Sequence, residues 1–316
     1  MRLFRSELLR ARSRRLVPMV IIGGLLAIVI SIGIAAFNSH APSQGTLDQA
    51  QSNYEQQFQR CLSGKYLGRG GQLPPGYASL DEYCRANVSV YVQDAGMQTS
   101  DIPHILEGIA TFVILLGALL GASLAGADWT SNTMSTLLTW EPRRIRVMLT
   151  RAAVVVLVVL AISLLLQATF VALFWLAAQS RGTTAFAPSS LWGDIWQAML
   201  RVSAVATAFG LIALSIAMIG RSTVSSLGVL VGYLILFEGV IAGFRPSIQG
   251  WLLMRAGGVV VSQSPILDYR AGPSFGSSYP EPNVLMSVAR ADVILGAYVI
   301  GLLVLGLVVF RRRDVS

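Results

Sequence analysis

Few residues of this 316-residue chain have the type and spacing that chemistry at a site requires. The two histidines, His40 and His104, lie far apart, and neither belongs to a His-Glu-x-x-His zinc motif. The segment Ser63–Lys65 lacks the upstream glycine of a phosphate-binding loop. We therefore expect no catalytic residue, and no metal or cofactor bound by this chain itself.

The two cysteines of the sequence, Cys61 and Cys84, each fall in a predicted amphipathic helix. Capping-box patterns at Thr46–Gln49 and Ser79–Glu82 predict where these helices begin. Two cysteines without nearby histidines fall short of the four ligands of a zinc site. We predict a disulfide that joins the two helices, and two buried free thiols are the alternative.

Glu238 is the only charged residue within the six uninterrupted apolar runs, which are Leu16–Phe37, Gly108–Ala127, Ala152–Ser180, Val202–Gly220, Ser222–Phe244 and Val293–Phe310. An ionisable residue at membrane depth is costly and usually faces a cavity or a partner. Glu238 is therefore a candidate for a substrate path. The alternative is a side chain that reaches the outer headgroups or pairs with Arg245 on the same helix face.

The composition excludes an ordinary soluble domain. Hydrophobic residues make up 54% of the chain, charged residues only 13%, and the mean hydropathy is +0.62. Soluble domains are about 45–50% apolar and about 25% charged. The apolar residues occur in six runs of about 20 residues, the length that crosses a bilayer core. Such segments must be helical, because the bilayer core has no water to satisfy backbone amides. We predict an all-α integral membrane protein with six transmembrane helices.

The predicted segments follow one another in chain order. They are an amphipathic cytoplasmic helix at 1–15, span 1 at 16–37, an outer helical hairpin at 38–104, span 2 at 105–127, a cytoplasmic loop at 128–151, span 3 at 152–178, span 4 at 200–220, span 5 at 223–244, an outer loop at 245–290, span 6 at 291–310 and a cytoplasmic tail at 311–316. A signal peptide is the alternative for the first run, but that run exceeds the usual core of about 7–15 residues.

The positive charges predict the orientation. With the N-terminus inside, 14 of the 24 Lys and Arg residues fall in the short inner segments, concentrated at the span ends. Both termini are therefore predicted to be cytoplasmic. This placement favours membrane topology and lipid-headgroup binding over nucleic acid as the explanation of the net charge of +8.

The sequence pattern between spans 2 and 3 predicts a short cytoplasmic helix. Ser131 suits its N-cap and Pro142 its end. Its apolar face consists of Met134, Leu137 and Leu138. An exposed apolar face needs a partner, and the alternative is that it rests on the bilayer or on this chain's own helices.

The ordered pattern around this loop resembles the type-two permease family of ATP-binding-cassette exporters. It consists of Asp128 at the inner end of span 2, the pair Leu137-Leu138, Pro142 and a basic stretch before span 3. Asp128 stands where family members commonly have Glu, and Glu141–Arg144 stands where they have a Pro-x-Ser-Arg turn. Residues 1–15 resemble the family's elbow helix, and Gln249–Val261 resembles its re-entrant outer helices.

The resemblance implies a translocation subunit without enzymatic activity. A second permease chain and two separate ATPase subunits, which bind ATP and Mg²⁺, would be its partners in a bacterial plasma membrane. The high Arg and low Lys content separately suggests a high-GC bacterium such as an actinobacterium. It implies that a coupling helix contacts the ATPase through Asp128, Thr133, Met134, Leu137, Leu138, Trp140, Arg143 and Arg144. Hydrophobic or amphipathic small molecules or lipids, as in multidrug efflux, would be the exported substrates. Gly117 and Gly121 are expected to permit close helix packing.

Two other classes of protein stay open at the level of sequence. A membrane-anchored binding or assembly protein would use the outer hairpin as its binding module. A secondary transporter would show internal repeats and several intramembrane charges, whereas this sequence has no clear repeat and only Glu238.

Overall fold

The structure of the protein is a computed structural model. It describes residues 2–63, 79–88, 97–130, 133, 139, 143–184, 187, 190–268 and 283–312. The longer helices are α1 Arg2–Ser13, α2 Leu16–Asn38, α3 Gln44–Leu62, α4 Leu80–Asn87, α5 Ile102–Thr130, α6 Arg144–Arg181, α7 Leu191–Gly220, α8 Thr223–Tyr233, α9 Leu253–Ser262 and α10 Val288–Arg312. Short 3-10 helices lie at Thr99–Asp101 and Pro246–Trp251.

Within the described residues, six helices are long and apolar enough to span a membrane. They are Leu16–Asn38, Thr99–Trp129, Arg144–Arg181, Leu191–Gly220, Thr223–Ile241 and Val288–Arg312. The predicted number of apolar helices is confirmed, and the chain has the architecture of an α-helical multi-pass membrane protein.

Several helices are longer than the apolar runs that predicted them. The helix α6 begins at Arg144, ahead of predicted span 3 at 152, and α7 begins at Leu191, ahead of predicted span 4 at 200. Hydropathy marks the apolar stretch, whereas backbone hydrogen bonding continues until a breaker intervenes. The polar residues at both helix starts include neither Pro nor a glycine pair.

The fifth span is irregular. Its α-helical part, α8, continues as a π-helical segment, Leu234–Ile241, and then as a last helical turn, Ala242–Phe244. The helix ends directly before Pro246, whose ring disfavours helical backbone at Arg245. Long π-helical stretches are rare and often mark functional positions. Glu238 lies within this segment.

The chain forms two compact units. The first contains Met1–Ala27, Pro103–Thr169 and Trp192–Ser316. In it, α5 and α7 approach so closely that a Cβ atom at Gly117 would lie 2.4 Å from the carbonyl oxygen of Ala206. A Cβ atom at Gly121 would lie 2.0 Å from the carbonyl oxygen of Gly210. The close packing expected of Gly117 and Gly121 is thereby confirmed.

The last part of the first unit has a small core of its own. Its members are Ala256, Val259, Met286, Ala291 and Ile294, contributed by α9, α10 and the strand between them. That strand, β2 Asn283–Met286, pairs antiparallel with β1 Ile266–Asp268. This strand pair within predicted loop 245–290 was not expected from the sequence.

The second unit contains Ile28–Ile102 and Phe170–Leu191. In it, a disulfide joins Cys61 on α3 to Cys84 on α4, with a Cα–Cα distance of 5.8 Å. The helix α4 begins directly after Ser79, at the position of its predicted capping box. The predicted cap of α3 at Thr46 is wrong, because Ser43 is the N-cap and its Oγ accepts a hydrogen bond from the backbone N–H of Thr46. Thr46 is thus the third residue of the helix.

Candidate functional site

The charged side chains at the ends of three helices meet in one network. Asp128 lies near the end of α5, and both of its carboxylate oxygens are engaged. Oδ1 accepts a hydrogen bond from Nη2 of Arg14, which follows α1. Oδ2 accepts a hydrogen bond from Nη2 of Arg151 on α6, at 2.5 Å. One carboxylate therefore ties the amphipathic helix to two of the apolar helices.

A second carboxylate extends this network along α1. Glu7 Oε1 lies 3.8 Å from Nη2 of Arg151 and 3.3 Å from Nη1 of Arg10. The side chains of Asp128, Arg151 and Glu7 are only 5%, 3% and 8% exposed. Ion pairs this deeply buried are sensitive to the loss of either partner, because an unpaired charge is left out of water. We call Glu7, Arg10, Arg14, Asp128 and Arg151 the ion network.

Arg14 is held in the network by its carboxylate partner in spite of burial. Removal from water lowers the pKa of the Arg14 guanidinium, and the charge of Asp128 partly offsets that effect. Because an ordinary arginine titrates far above neutral pH, Arg14 remains charged. Its Nη1 also donates a hydrogen bond to the backbone carbonyl of Ser123, 2.5 Å away. Arg14 thus contacts two successive turns at the end of α5.

The two residues of α1 that enter the network lie on one helix face. Glu7 and Arg10 are three positions apart, which places them on neighbouring turns of one side, and Arg14 follows directly after the helix. Glu7 and Ala11 are the buried residues of this face, whereas Leu9 is 59% exposed. The sequence pattern of α1 predicts a simple basic amphipathic helix and gives no role to Glu7. The sequence feature that could have pointed to Glu7 is that it is the only acidic residue among the first fifteen.

Aromatic and backbone contacts join further helix ends close to the network. The rings of Trp129 and Phe310 meet edge to face at 6.2 Å, and the guanidinium of Arg221 lies 5.0 Å from the Trp129 ring. Arg144 Nη1 donates hydrogen bonds to the carbonyl oxygens of Phe310 and Arg311, at 3.2 and 3.3 Å. The starts of α6 and α8 and the ends of α5 and α10 therefore lie together.

The residues predicted for the ATPase contact are described only in part. Thr133 is exposed, and its hydroxyl donates a hydrogen bond to the carbonyl oxygen of Asp128 at 3.3 Å. Arg143 is exposed directly before α6, and Arg144 is half-buried against α10. The remaining four predicted contact residues lie outside the described residues: Met134, Leu137, Leu138 and Trp140. The part of the site that the structure describes is thus the two helix ends that flank residues 131–142.

Glu238 is a capping residue for α9 in this structure. Its Oε1 accepts a hydrogen bond from the backbone N–H of Met254, in the first turn of that helix. The neighbouring N–H of Leu253 donates to the hydroxyl oxygen of Tyr233, at 3.1 Å. A carboxylate at a helix N-terminus satisfies unpaired amides and is favoured by the helix dipole. Among the described residues, Glu238 forms no ion pair with Arg245.

These contacts hold helices together and do not assemble an acid–base pair around a substrate cavity. Across the described ranges, no three His, Cys, Asp or Glu side chains lie close enough together to hold a metal ion. No protein-family model matches the chain, and no curated protein matches it significantly. The function must therefore be inferred from the chain's own residues and their contacts.

Proposed function

We propose that this chain is the permease subunit of an ATP-driven exporter in a bacterial plasma membrane, with both termini in the cytoplasm. It would move a hydrophobic or amphipathic small molecule, or a lipid, outward. Two separate ATPase subunits would bind and hydrolyse ATP with Mg²⁺. A second permease chain, identical or related, would complete the translocation path, and this chain would catalyse no reaction itself.

The observation that carries the proposal is the position of Asp128 between Arg14 and Arg151. Residues 131–142, whose pattern resembles a coupling helix, are flanked by α5 on one side and α6 on the other. The Asp128–Arg151 pair joins those two helix ends, and the Asp128–Arg14 pair adds α1. A displacement of this segment would therefore act on three helices at once.

The physical basis of coupling is a shift between two arrangements of the helices. ATP binding favours one of them only if the ATPase contacts the two arrangements differently. In our proposal, the apolar face formed by Met134, Leu137 and Leu138 sits in a cleft of the ATPase and moves when its nucleotide sites close. Because separating the charges of a buried ion pair costs much free energy, the ion network would move the helix ends as a rigid group.

The unequal burial of the apolar helices is compatible with a second permease chain. Of the apolar stretch in α7, 72% is buried within this chain, but the corresponding values for α2 and for Thr223–Ile241 are 17% and 11%. These two helices have apolar surface that lipid or another chain must cover, because exposing it to water would be unfavourable. In our proposal, part of that surface packs against the second permease.

Co-purification with an ATPase tests the proposal. The chain would be co-expressed with the ATPase encoded beside its gene, solubilised in mild detergent and isolated by a tag on the permease. We expect a stable complex from the wild type and its loss from the double variant Leu137→Asp, Leu138→Asp. The matched control is Leu9→Asp, which places the same change on an exposed leucine outside the coupling segment. Unchanged assembly of the double variant would contradict the assigned coupling helix.

A further inference from the structure

A small cavity lies between α1, α5 and α6, directly beside the ion network. Its polar lining consists of Glu7, Arg10, Arg14 and Arg151, and Ala11 and Leu124 supply an apolar side. The enclosed part has room for about one water-sized group. A ligand in this cavity would therefore insert a single atom or a small terminal group and extend outward from it.

Arg151 lines this cavity and has hydrogen-bond donors that no protein group uses among the described residues. Its side chain is 3% exposed, and Nη2 is engaged by Asp128 and Glu7. Its Nε and Nη1 are buried without a hydrogen-bond partner among the described residues. Leaving buried donors of a charged group unsatisfied is costly, and native proteins rarely do so. The group that completes this site must accept hydrogen bonds.

The charge of the lining favours an anionic acceptor. The guanidinium groups of Arg10, Arg14 and Arg151 face the carboxylates of Glu7 and Asp128, which leaves one positive charge in excess. Both carboxylates are already engaged by guanidinium groups. A water molecule can accept hydrogen bonds from the free N–H groups but cannot balance the excess positive charge. An oxygen of a phosphate group does both.

We infer that this cavity binds one oxygen of a phosphate group, held by one of the unpaired N–H groups of Arg151, with Arg10 at the entrance. Arg10 is 40% exposed, so it can contact the part of the ligand that remains outside. Arg14 precedes by two residues the start of the first apolar helix at Leu16, the level at which lipid headgroups meet a spanning helix. The phosphate comes from a membrane lipid or from solution, and both sources present the same oxygen.

Native mass spectrometry of the full chain in detergent, with lipids added back, tests this inference. The probes are a phosphatidylglycerol, a diacylglycerol glycolipid without phosphate, and inorganic phosphate alone. We expect phosphate-dependent binding that falls about tenfold in Arg151→Lys, since that change removes Nε and Nη1 donors but keeps the charge. Retention of phosphatidylglycerol alone identifies the lipid as the source, and equal retention of inorganic phosphate identifies a free anion.

The matched control is Arg146→Lys, an exposed arginine on the same helix. It should bind both phosphate probes as the wild type does. Should Arg151→Lys fold poorly, Arg10→Gln supplies a second variant, because it removes the excess charge from a half-exposed position. Equal binding of the glycolipid and phosphatidylglycerol, or equal losses in Arg151→Lys and Arg146→Lys, would overturn the inference and leave a water molecule as the occupant.

Discussion

The Asp128 carboxylate lies 2.5 Å from the Arg151 guanidinium, although 23 positions separate the two residues in the sequence. Both side chains are almost fully buried. The pair joins the end of α5 to the start of α6 and leaves residues 131–142 between them. The two helix ends that flank this segment are therefore joined directly by a buried ion pair.

Removal of the shared carboxylate should destabilise the first unit. In Asp128→Ala, the guanidinium groups of Arg14 and Arg151 lose their common partner while remaining buried. Breaking a buried pair from one side costs about 3–5 kcal/mol. Equilibrium unfolding in mixed detergent micelles, followed by circular dichroism, measures the loss.

An exposed ion pair provides the control for that variant. Asp81 and Arg85 form a pair on α4 in which the side chains are 51% and 68% exposed. Solvent and salt screen such pairs, so Asp81→Ala should leave the stability nearly unchanged. Equal destabilisation by Asp81→Ala and Asp128→Ala would contradict the importance given to burial at Asp128.

Gly121 should not tolerate even a methyl group. A Cβ atom there would lie 2.0 Å from the carbonyl oxygen of Gly210, so Gly121→Ala must push α5 and α7 apart. Such overpacking costs about 1–3 kcal/mol. Gly108→Ala is the control on the same helix, because nothing lies within 4 Å of its Cβ position. Thermal unfolding that gave the same midpoint for both variants would refute the close contact.

The disulfide should be detectable directly and should hold α3 against α4. Peptide mass spectrometry without reduction is expected to find Cys61 linked to Cys84, and free thiols at both positions would contradict the structure. In the chain-entropy account, closing the loop between them contributes about 3 kcal/mol. The double variant Cys61→Ser, Cys84→Ser should therefore be cleaved faster by trypsin in this region than the oxidised wild type.

Two substitutions at Glu238 separate a capping role from a role in the substrate path. Glu238→Gln keeps an oxygen that can accept a hydrogen bond from the N–H of Met254, so a capping role predicts nearly normal stability. Glu238→Ala removes the acceptor and should cost about 1 kcal/mol, the usual value of a helix cap. A substrate-path role predicts instead that Glu238→Gln abolishes substrate stimulation of the ATPase at unchanged stability. Measuring both quantities in both variants distinguishes the two roles.

The apolar helices were predictable because hydropathy and length are properties of a contiguous segment. The ion network was only partly predictable. The position of Asp128 at a helix end marks it as a candidate, but the sequence around Arg14 predicts only a topological charge and nothing in the sequence assigns a role to Glu7. Arg14 contacts Asp128 and Glu7 contacts Arg151, and each pair is more than a hundred positions apart in the sequence. The local spacing of residues cannot predict contacts over such separations.

Glu238 illustrates the same limit within one span. A charged residue among apolar neighbours is visible in the sequence. Its hydrogen-bond partner is not, because the N–H of Met254 lies sixteen positions away on a separate helix. The alternative pairing with Arg245 was based on ideal α-helical spacing, whereas this part of the span is π-helical. The change in helical period removed the basis of that expectation.

We propose that ATP hydrolysis by a partner is coupled to this chain through Asp128. The decisive measurement is the hydrolysis rate of the partner ATPase alone, with the wild-type chain in lipid nanodiscs, and with Asp128→Asn. We expect that the wild type binds the ATPase and changes its rate, and that assembled Asp128→Asn loses this effect. An ATPase whose rate is the same alone and with the wild-type chain would contradict this coupling.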